Sequence, residues 1–309
     1  MISEDMATDF DAAVERHRRE LHVHCYRMLG SFDEAEDALQ EALLRAWRAR
    51  STLVDTSGLR PWLYKIATNV CLDQLRANKR RPTTSEVPWL QPYPDRLLDE
   101  IAPPEEEPDA VVVARETIEL TYITLIQLLP ARQRAVVILR DVLDWSAAET
   151  AELLDMSVAS ANSALQRGRA TLRERLPQRE PRELDEDERR LLEGFIATHE
   201  ACDAEGAAAL MREDIRITMP PFPDVYEGRD AIAPLLVRAF GPDRGGDWRL
   251  LPTRVNRMPA AASYFRRDGE SEFRPFKLDV LRVRDGKVAE VTTFDSAFFG
   301  RLGLPEVLR

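Results

Sequence analysis

Apolar side chains recur at helical spacing along the first part of the chain. From Phe10 to Leu29 the positions Val14, Leu21, Cys25, Met28 and Leu29 share one face, which predicts an amphipathic helix ended by Gly30. Ser31-Phe32-Asp33-Glu34 then places a hydroxyl cap three residues before a carboxylate, the signature of a helix start. The helix it opens runs to Arg50. Its apolar stripe is Ala35, Leu39, Leu43, Ala46 and Trp47, and its opposite side carries Glu36, Asp37, Gln40 and Glu41. Pro61 suits the first turn of a third helix, since its missing N–H is not needed there. Leu63, Ile66, Ala67, Val70, Cys71 and Leu75 face inward in it, leaving Tyr64, Lys65, Thr68, Asn69, Asp73 and Arg76 outward.

The pattern recurs after residue 115. Ser146-Ala147-Ala148-Glu149 repeats the capping signal, Asp155-Met156 reads as a tight turn, and Ser157 caps a helix reaching about Arg175. Val158, Ala161, Leu165, Gly168 and Leu172 are its inward positions. Two helices joined by a short turn, the second with polar and basic outer positions, predict a helix-turn-helix. From Leu184 one helix leads into alternating segments: Ile215–Met219, Trp248–Asn256, Ala260–Arg267, Phe276–Arg284 and Val288–Phe294. Asp285-Gly286 is a hairpin signal. The expected fold class is therefore multidomain: two all-α modules, residues 1–82 and 115–180, then an α+β domain over 184–309.

Charge separates these pieces. The chain of 309 residues has a formal net charge of −11, but the acids are concentrated in 83–114, which carries one basic and eight acidic side chains. Seven prolines between Pro82 and Pro108 and the run Glu105-Glu106-Glu107 make that stretch an extended linker. Trp89, Leu90, Tyr93, Leu97 and Leu98 are too apolar for a plain spacer and imply that it docks on something. Basic residues cluster at Arg60–Arg81 and Arg167–Arg182, the local footprint of phosphate binding.

Several classes are set aside. No run of eighteen apolar residues is present, so no membrane span is expected, and the acidic start lacks the apolar stretch of a secretory signal. Cys25, Cys71 and Cys202 are odd in number and widely spaced, which suits a reducing cytoplasm. His22, His24 and Cys25 lack a second ligand pair, so neither a metal nor another cofactor is expected.

Asp33–Ala49 (DEAEDALQEALLRAWRA) and Leu59–Arg76 (LRPWLYKIATNVCLDQLR) closely resemble region 2 of extracytoplasmic-function sigma factors. Leu129–Leu172 resembles their region 4, and the two matches span about half of the chain. The tail from Leu184 looks like a SnoaL-like, NTF2-type cone, and the linker WLQPYPDRLL looks typical of sigma factors with such a tail. The resemblance implies a non-enzymatic protein that binds core RNA polymerase and promoter DNA. It assigns Asp37, Gln40 and Glu41 to polymerase docking. It assigns the −10 element to the loop Ser51–Leu59 and to Tyr64, Lys65, Asn69, Asp73, Arg76 and Arg80, with Tyr64 stacking on a base and Trp62 read as core. The −35 element falls to Ser160, Asn162, Ser163 and Gln166 at base edges, and to Arg167, Arg169 and Arg173 at phosphates. Many relatives carry basic residues where this chain has Asn162-Ser163-Ala164, which implies weaker −35 affinity or another preference.

For the tail, three readings stand. A tethered domain acts at high effective concentration and can regulate the helical modules by packing on them or on the linker. It can bind a ligand in a pocket lined by Trp248, Tyr264 and Asp295. It can also catalyse, with Asp295, His199 or Asp203 as acid or base. A polymerase-independent DNA-binding regulator is the wider alternative.

Overall fold

The computed structural model describes residues 4–53, 58–78, 87–99, 117–175 and 184–309, and the chain divides into two compact units. The first unit joins 1–87 with 97–178, so both helical modules lie within it; the second joins 88–96 with 179–309.

In the first unit, α1 (Glu4–Glu15), α2 (Arg18–Leu29), α3 (Phe32–Ala49) and α4 (Leu59–Asn78) form one bundle. Gly30 ends α2 with φ +75°, and its N–H donates to Tyr26 O. Ser31 caps α3, its hydroxyl accepting from Glu34 N at 3.3 Å. Leu21, Cys25, Leu29, Leu39, Leu63, Ala67 and Cys71 are buried. A short helix α5 (Asp95–Asp99) begins in the second unit's segment 88–96 and ends in the first unit. The second module comprises α6 (Leu120–Gln127), α7 (Ala131–Val137) extended by a wide π turn (Ile138–Val142), α8 (Ala147–Leu153) and α9 (Val158–Arg175). Ser146 and Glu149 form the full reciprocal capping box of α8. Asp155 turns the chain with φ +49°, and Ser157 Oγ accepts from Ser160 N at 3.1 Å. Gly168 permits close packing of α9: a Cβ there would come 2.5 Å from Val137 Cγ2.

The periodicity misplaces some side chains. Tyr64 and Thr68 are buried instead of outward, because α2 lies against their side of α4; His24 Nε2 is 2.8 Å from Thr68 Oγ1. Trp47 is 37% exposed at the end of α3, its ring 6.2 Å from that of Phe10 and 4.1 Å from the Arg50 guanidinium. Val158 is 45% exposed because it sits in the first turn of α9, outside the packed stripe. The third helix begins at Leu59, two residues before Pro61.

The second unit has α10 (Leu184–Glu200), α11 (Ala204–Leu210) and α12 (Arg229–Phe240) with a six-stranded sheet. Its strands are β1 (Met211–Thr218), β2 (Val225–Glu227), β3 (Gly246–Val255), β4 (Met258–Arg267), β5 (Arg274–Arg284) and β6 (Lys287–Asp295). Their order is β2-β1-β6-β5-β4-β3; all neighbours are antiparallel except β1 and β6. Asp285 and Gly286, with φ +52° and +68°, make the expected β5–β6 hairpin turn. Leu191, Leu192 and Phe195 of α10 and Ile232, Leu236 and Phe240 of α12 share one core with Leu250, Ala261, Leu281 and Val291 of the sheet.

The segment 88–96 belongs to this unit. Pro94 bridges to Val255, Tyr93 N donates to Asn256 Oδ1 at 2.7 Å, and Asn256 N returns a bond to Tyr93 O at 3.0 Å. Arg257 N donates to Asp95 Oδ1 at 2.8 Å. Asn256 and Arg257 hold φ of +54° and +58° in the β3–β4 turn, a conformation costly for a non-glycine residue and here fixed by these bonds. The rest of the expected linker, 83–86 and 100–114, lies outside the described residues.

Candidate nucleic-acid interface

On α3, Asp37 and Gln40 are exposed and Glu41 is half-buried, its carboxylate 2.7 Å from Arg45 Nε. Leu44, one turn on, is exposed as well. These residues make one acidic, amide-bearing strip with an apolar end, suited to a basic partner.

On α4 the expected group divides. Asp73 and Arg76 are exposed and joined at 3.1 Å, Asp73 also taking Arg45 at 3.1 Å. Lys65 and Asn69 are half-buried, and Arg80 lies outside the described residues. Tyr64 is 1% exposed and is not available for stacking on a base. Its hydroxyl donates to Glu20 Oε2 at 3.1 Å and its ring lies 5.4 Å from that of Trp145. Burial pushes the Glu20 carboxyl up, but the bonds from Arg60, His17 and Tyr64 and the Arg60 charge outweigh it and hold it below the usual value. Trp62 is half-buried, 6.4 Å from Phe10. Residues 54–57 of the expected loop lie outside the described residues.

On α9, Ser160, Asn162, Ser163, Gln166, Arg167, Arg169 and Arg173 are all exposed along one side, while Ala161, Ala164, Leu165 and Leu172 are buried. Arg169 is paired with Asp141 of the π turn, its Nε 3.0 Å from Oδ2. Polar groups in a row on the second helix of a helix-turn-helix can read base edges, with the arginines beside them taking phosphates.

Sequence periodicity gave no sign that the two modules pack together. Helix ends leave carbonyls without partners, and those of α2 are met from the other module. Gln127 Nε2 donates to Arg27 O at 3.0 Å, and Arg134 donates to Met28 O. Arg27 reaches back to Thr117 Oγ1 at 3.2 Å. Lys65 Nζ donates to Asp155 Oδ1 at 3.2 Å, at the turn of the helix-turn-helix. That pair is solvent-exposed and worth less than about 1 kcal/mol; the buried amide and guanidinium contribute more.

In the second unit, Trp248, Tyr264 and Asp295 do not line one pocket. Trp248 pairs with Phe265 and Arg249 with Tyr264, so Trp248 and Tyr264 point to opposite faces of the sheet. Tyr264 donates to Pro305 O at 2.8 Å and packs on Phe299. Asp295 is exposed and caps the turn that follows, accepting from Ala297 N at 2.8 Å. Asp203 caps α11 through Gly206 N. His199 is buried, and burial followed by the nearby Lys277 charge pulls it down to about 4. No group of three or more metal-ligating side chains occurs among the described residues, and no helix among them is long and apolar enough to cross a membrane.

Residues 13–81 match sigma-70 region 2, 120–172 match sigma-70 region 4, and 192–291 match the SnoaL-like domain. The chain is 39% identical over 321 residues to the ECF RNA polymerase sigma factor SigG of Mycobacterium tuberculosis, an alignment covering 97% of this chain and 85% of that protein. It is 28% identical to SigJ of the same species, over 89% of this chain and 88% of that one. The crystal structure of SigJ is similar in fold, with a TM-score of 0.63 at 23% identity, covering 97% of this chain and 99% of that one. With both helical modules, their order and the tail matched at this level, the chain belongs to the ECF RNA polymerase sigma factors.

Proposed function

We propose that the protein binds core RNA polymerase through the α3 strip of Asp37, Gln40 and Glu41 and directs it to a promoter. In this reading α9 lies in the major groove of the −35 element, and Lys65, Asn69, Asp73 and Arg76 of α4 meet the −10 element. The observation that carries it is the unbroken exposed row from Ser160 to Arg173 on a helix whose other side is packed. The closed packing of the two modules is the resting form, since Lys65 is tied to the helix-turn-helix turn and is not free for DNA. Purified chain added to core polymerase should form a complex and start transcripts at defined sites. Core polymerase that ignores the chain would reject the reading.

The tail regulates this activity through 88–96, the stretch of chain before the second helical module. The bonds of Tyr93 and Asp95 to Asn256 and Arg257 support this reading. Truncation near Pro177 should change promoter-dependent transcription or polymerase affinity; identical values for full and truncated chains would remove the regulatory role.

A further inference from the structure

Tyr64 and Lys65 are consecutive on α4, and the second module takes up both. The Trp145 ring lies 5.4 Å from the Tyr64 ring, inclined at 58°, and Trp145 is itself buried. Lys65 Nζ donates to Asp155 Oδ1 at 3.2 Å and to Glu152 O at 3.4 Å. A flat ring and an anionic oxygen thus reach two adjacent residues of α4. Those are the two groups by which a nucleotide presents itself to a protein: a base to lie against an aromatic side chain and a phosphate to pair with a cation.

The backbone is bent to deliver them. Trp145 and Asp155 flank α8, one just ahead of its Ser146 cap and the other just past its end. Asp144 and Asp155 hold left-handed backbone, with φ of +53° and +49°, uncommon for residues other than glycine. The Trp145 backbone is clasped on both sides: its N–H donates to Leu139 O at 2.9 Å, and its carbonyl accepts from Arg140 Nη1. Strained positions held in this way cluster at clamps and switches. On the α4 side, Tyr64 is oriented by its own module, its hydroxyl donating to Glu20 Oε2 at 3.1 Å and its ring lying 5.0 Å from that of His24. That support does not depend on Trp145.

We infer that Trp145 and Asp155 stand in for one nucleotide of single-stranded DNA on α4, so that the second module and an opened strand compete for Tyr64 and Lys65. The inference rests on the reading of α4 as the −10 surface, and it gives Tyr64, buried in the closed form, a partner once the second module leaves. The Lys65–Asp155 pair is exposed and weak, so it is readily given up. Closed packing lowers the apparent affinity for the strand in proportion to the fraction of chains that are open.

The test uses the full chain without polymerase or promoter, read by fluorescence anisotropy of a fluorescein-labelled oligothymidylate. Trp145→Ala should tighten binding at least about tenfold, and adding Tyr64→Leu should return it to the value of the unchanged chain. Asp155→Asn should tighten binding about threefold, as release of one exposed ion pair allows. Glu152→Gln, the same charge change three residues away, should not. Asp155 is exposed, so its variant decides the matter if the tryptophan variants do not fold. No gain in Asp155→Asn, an equal gain in Glu152→Gln, or a Trp145→Ala gain that survives Tyr64→Leu would each overturn the inference. A chain that fails this test yet forms an active complex with core polymerase keeps the proposed function and loses only the mimicry.

Discussion

The side-chain amide of Gln127 donates to the backbone carbonyl of Arg27 at 3.0 Å, so a residue of the second helical module completes a helix of the first. Gln127 is buried and its own amide oxygen accepts from Arg134 Nη1 at 2.5 Å. The two modules are thus joined by hydrogen bonds that water would otherwise have to replace. Gln127→Leu should lower the unfolding free energy of the first unit by about 1–3 kcal/mol, the cost of a buried carbonyl left without a donor. Arg134→Met should cost more, since the carbonyls of Met28, Gln127 and Leu129 all lose a donor. Denaturant midpoints at fixed slope would show this.

Acid should destabilise both units before the carboxylates titrate. Burial draws His24 down to about 3 and His199 to about 4, so both are neutral in the fold. In the unfolded chain they take up protons near 6.5. Stability from each is therefore complete above about pH 6.5 and falls by about 1.4 kcal/mol per pH unit as pH drops toward the folded value. His24→Asn should flatten the pH dependence of the first unit, read as denaturant midpoint against pH.

Loss of the Asn256 side chain should free 88–96. Its oxygen holds the Tyr93 amide at 2.7 Å, and Tyr93 is fully buried. In Asn256→Ala the Tyr93 amide should exchange with solvent at least about tenfold faster, the equivalent of about 1.4 kcal/mol of local stability. Hydrogen exchange followed by mass spectrometry would report it, and promoter-dependent transcription by the same variant would show whether release matters.

Reversing charge on α3 should act on partner binding and leave folding alone. Asp37 and Gln40 are exposed, so the double substitution Asp37→Arg, Gln40→Ala should shift stability by less than about 0.5 kcal/mol. Capture of core polymerase should fall by about tenfold or more, mainly through slower association. Unchanged capture would place the docking surface elsewhere.

If α9 docks as proposed, its base reading should be separable from its phosphate contacts. Gln166→Ala should relax preference at one position of the −35 element, with a loss of about 1–3 kcal/mol for the preferred base. Arg167→Ala should weaken binding to all sequences alike and lower the salt slope by about one. Gel-shift titrations of the polymerase complex at several salt concentrations would distinguish the two.

Local signals in the sequence were reliable where they depend on neighbouring residues. Gly30, the Ser146–Glu149 box and the Asp285-Gly286 turn all stand where backbone and capping chemistry require them. Long-range packing was not legible. Tyr64 is polar at one end and sits off the apolar stripe, so helical periodicity turns it outward; Glu20, 44 residues away, gives its hydroxyl a half-buried partner. Alternation along single strands likewise says nothing about register. Only the pairing of Trp248 with Phe265 and Arg249 with Tyr264 reveals that Trp248 and Tyr264 lie on opposite faces.

The π turn at Ile138–Val142 has one further effect. It carries Asp141, whose carboxylate steadies Arg169 on the exposed side of α9. A guanidinium already immobilised surrenders less rotational freedom on meeting a phosphate. It must, however, exchange one anion for another to do so. In the proposed DNA complex, duplexes that fit the whole helix surface should compensate for that exchange, whereas a chance encounter with bare backbone should not, so that the carboxylate would work as a proofreader against indiscriminate adhesion.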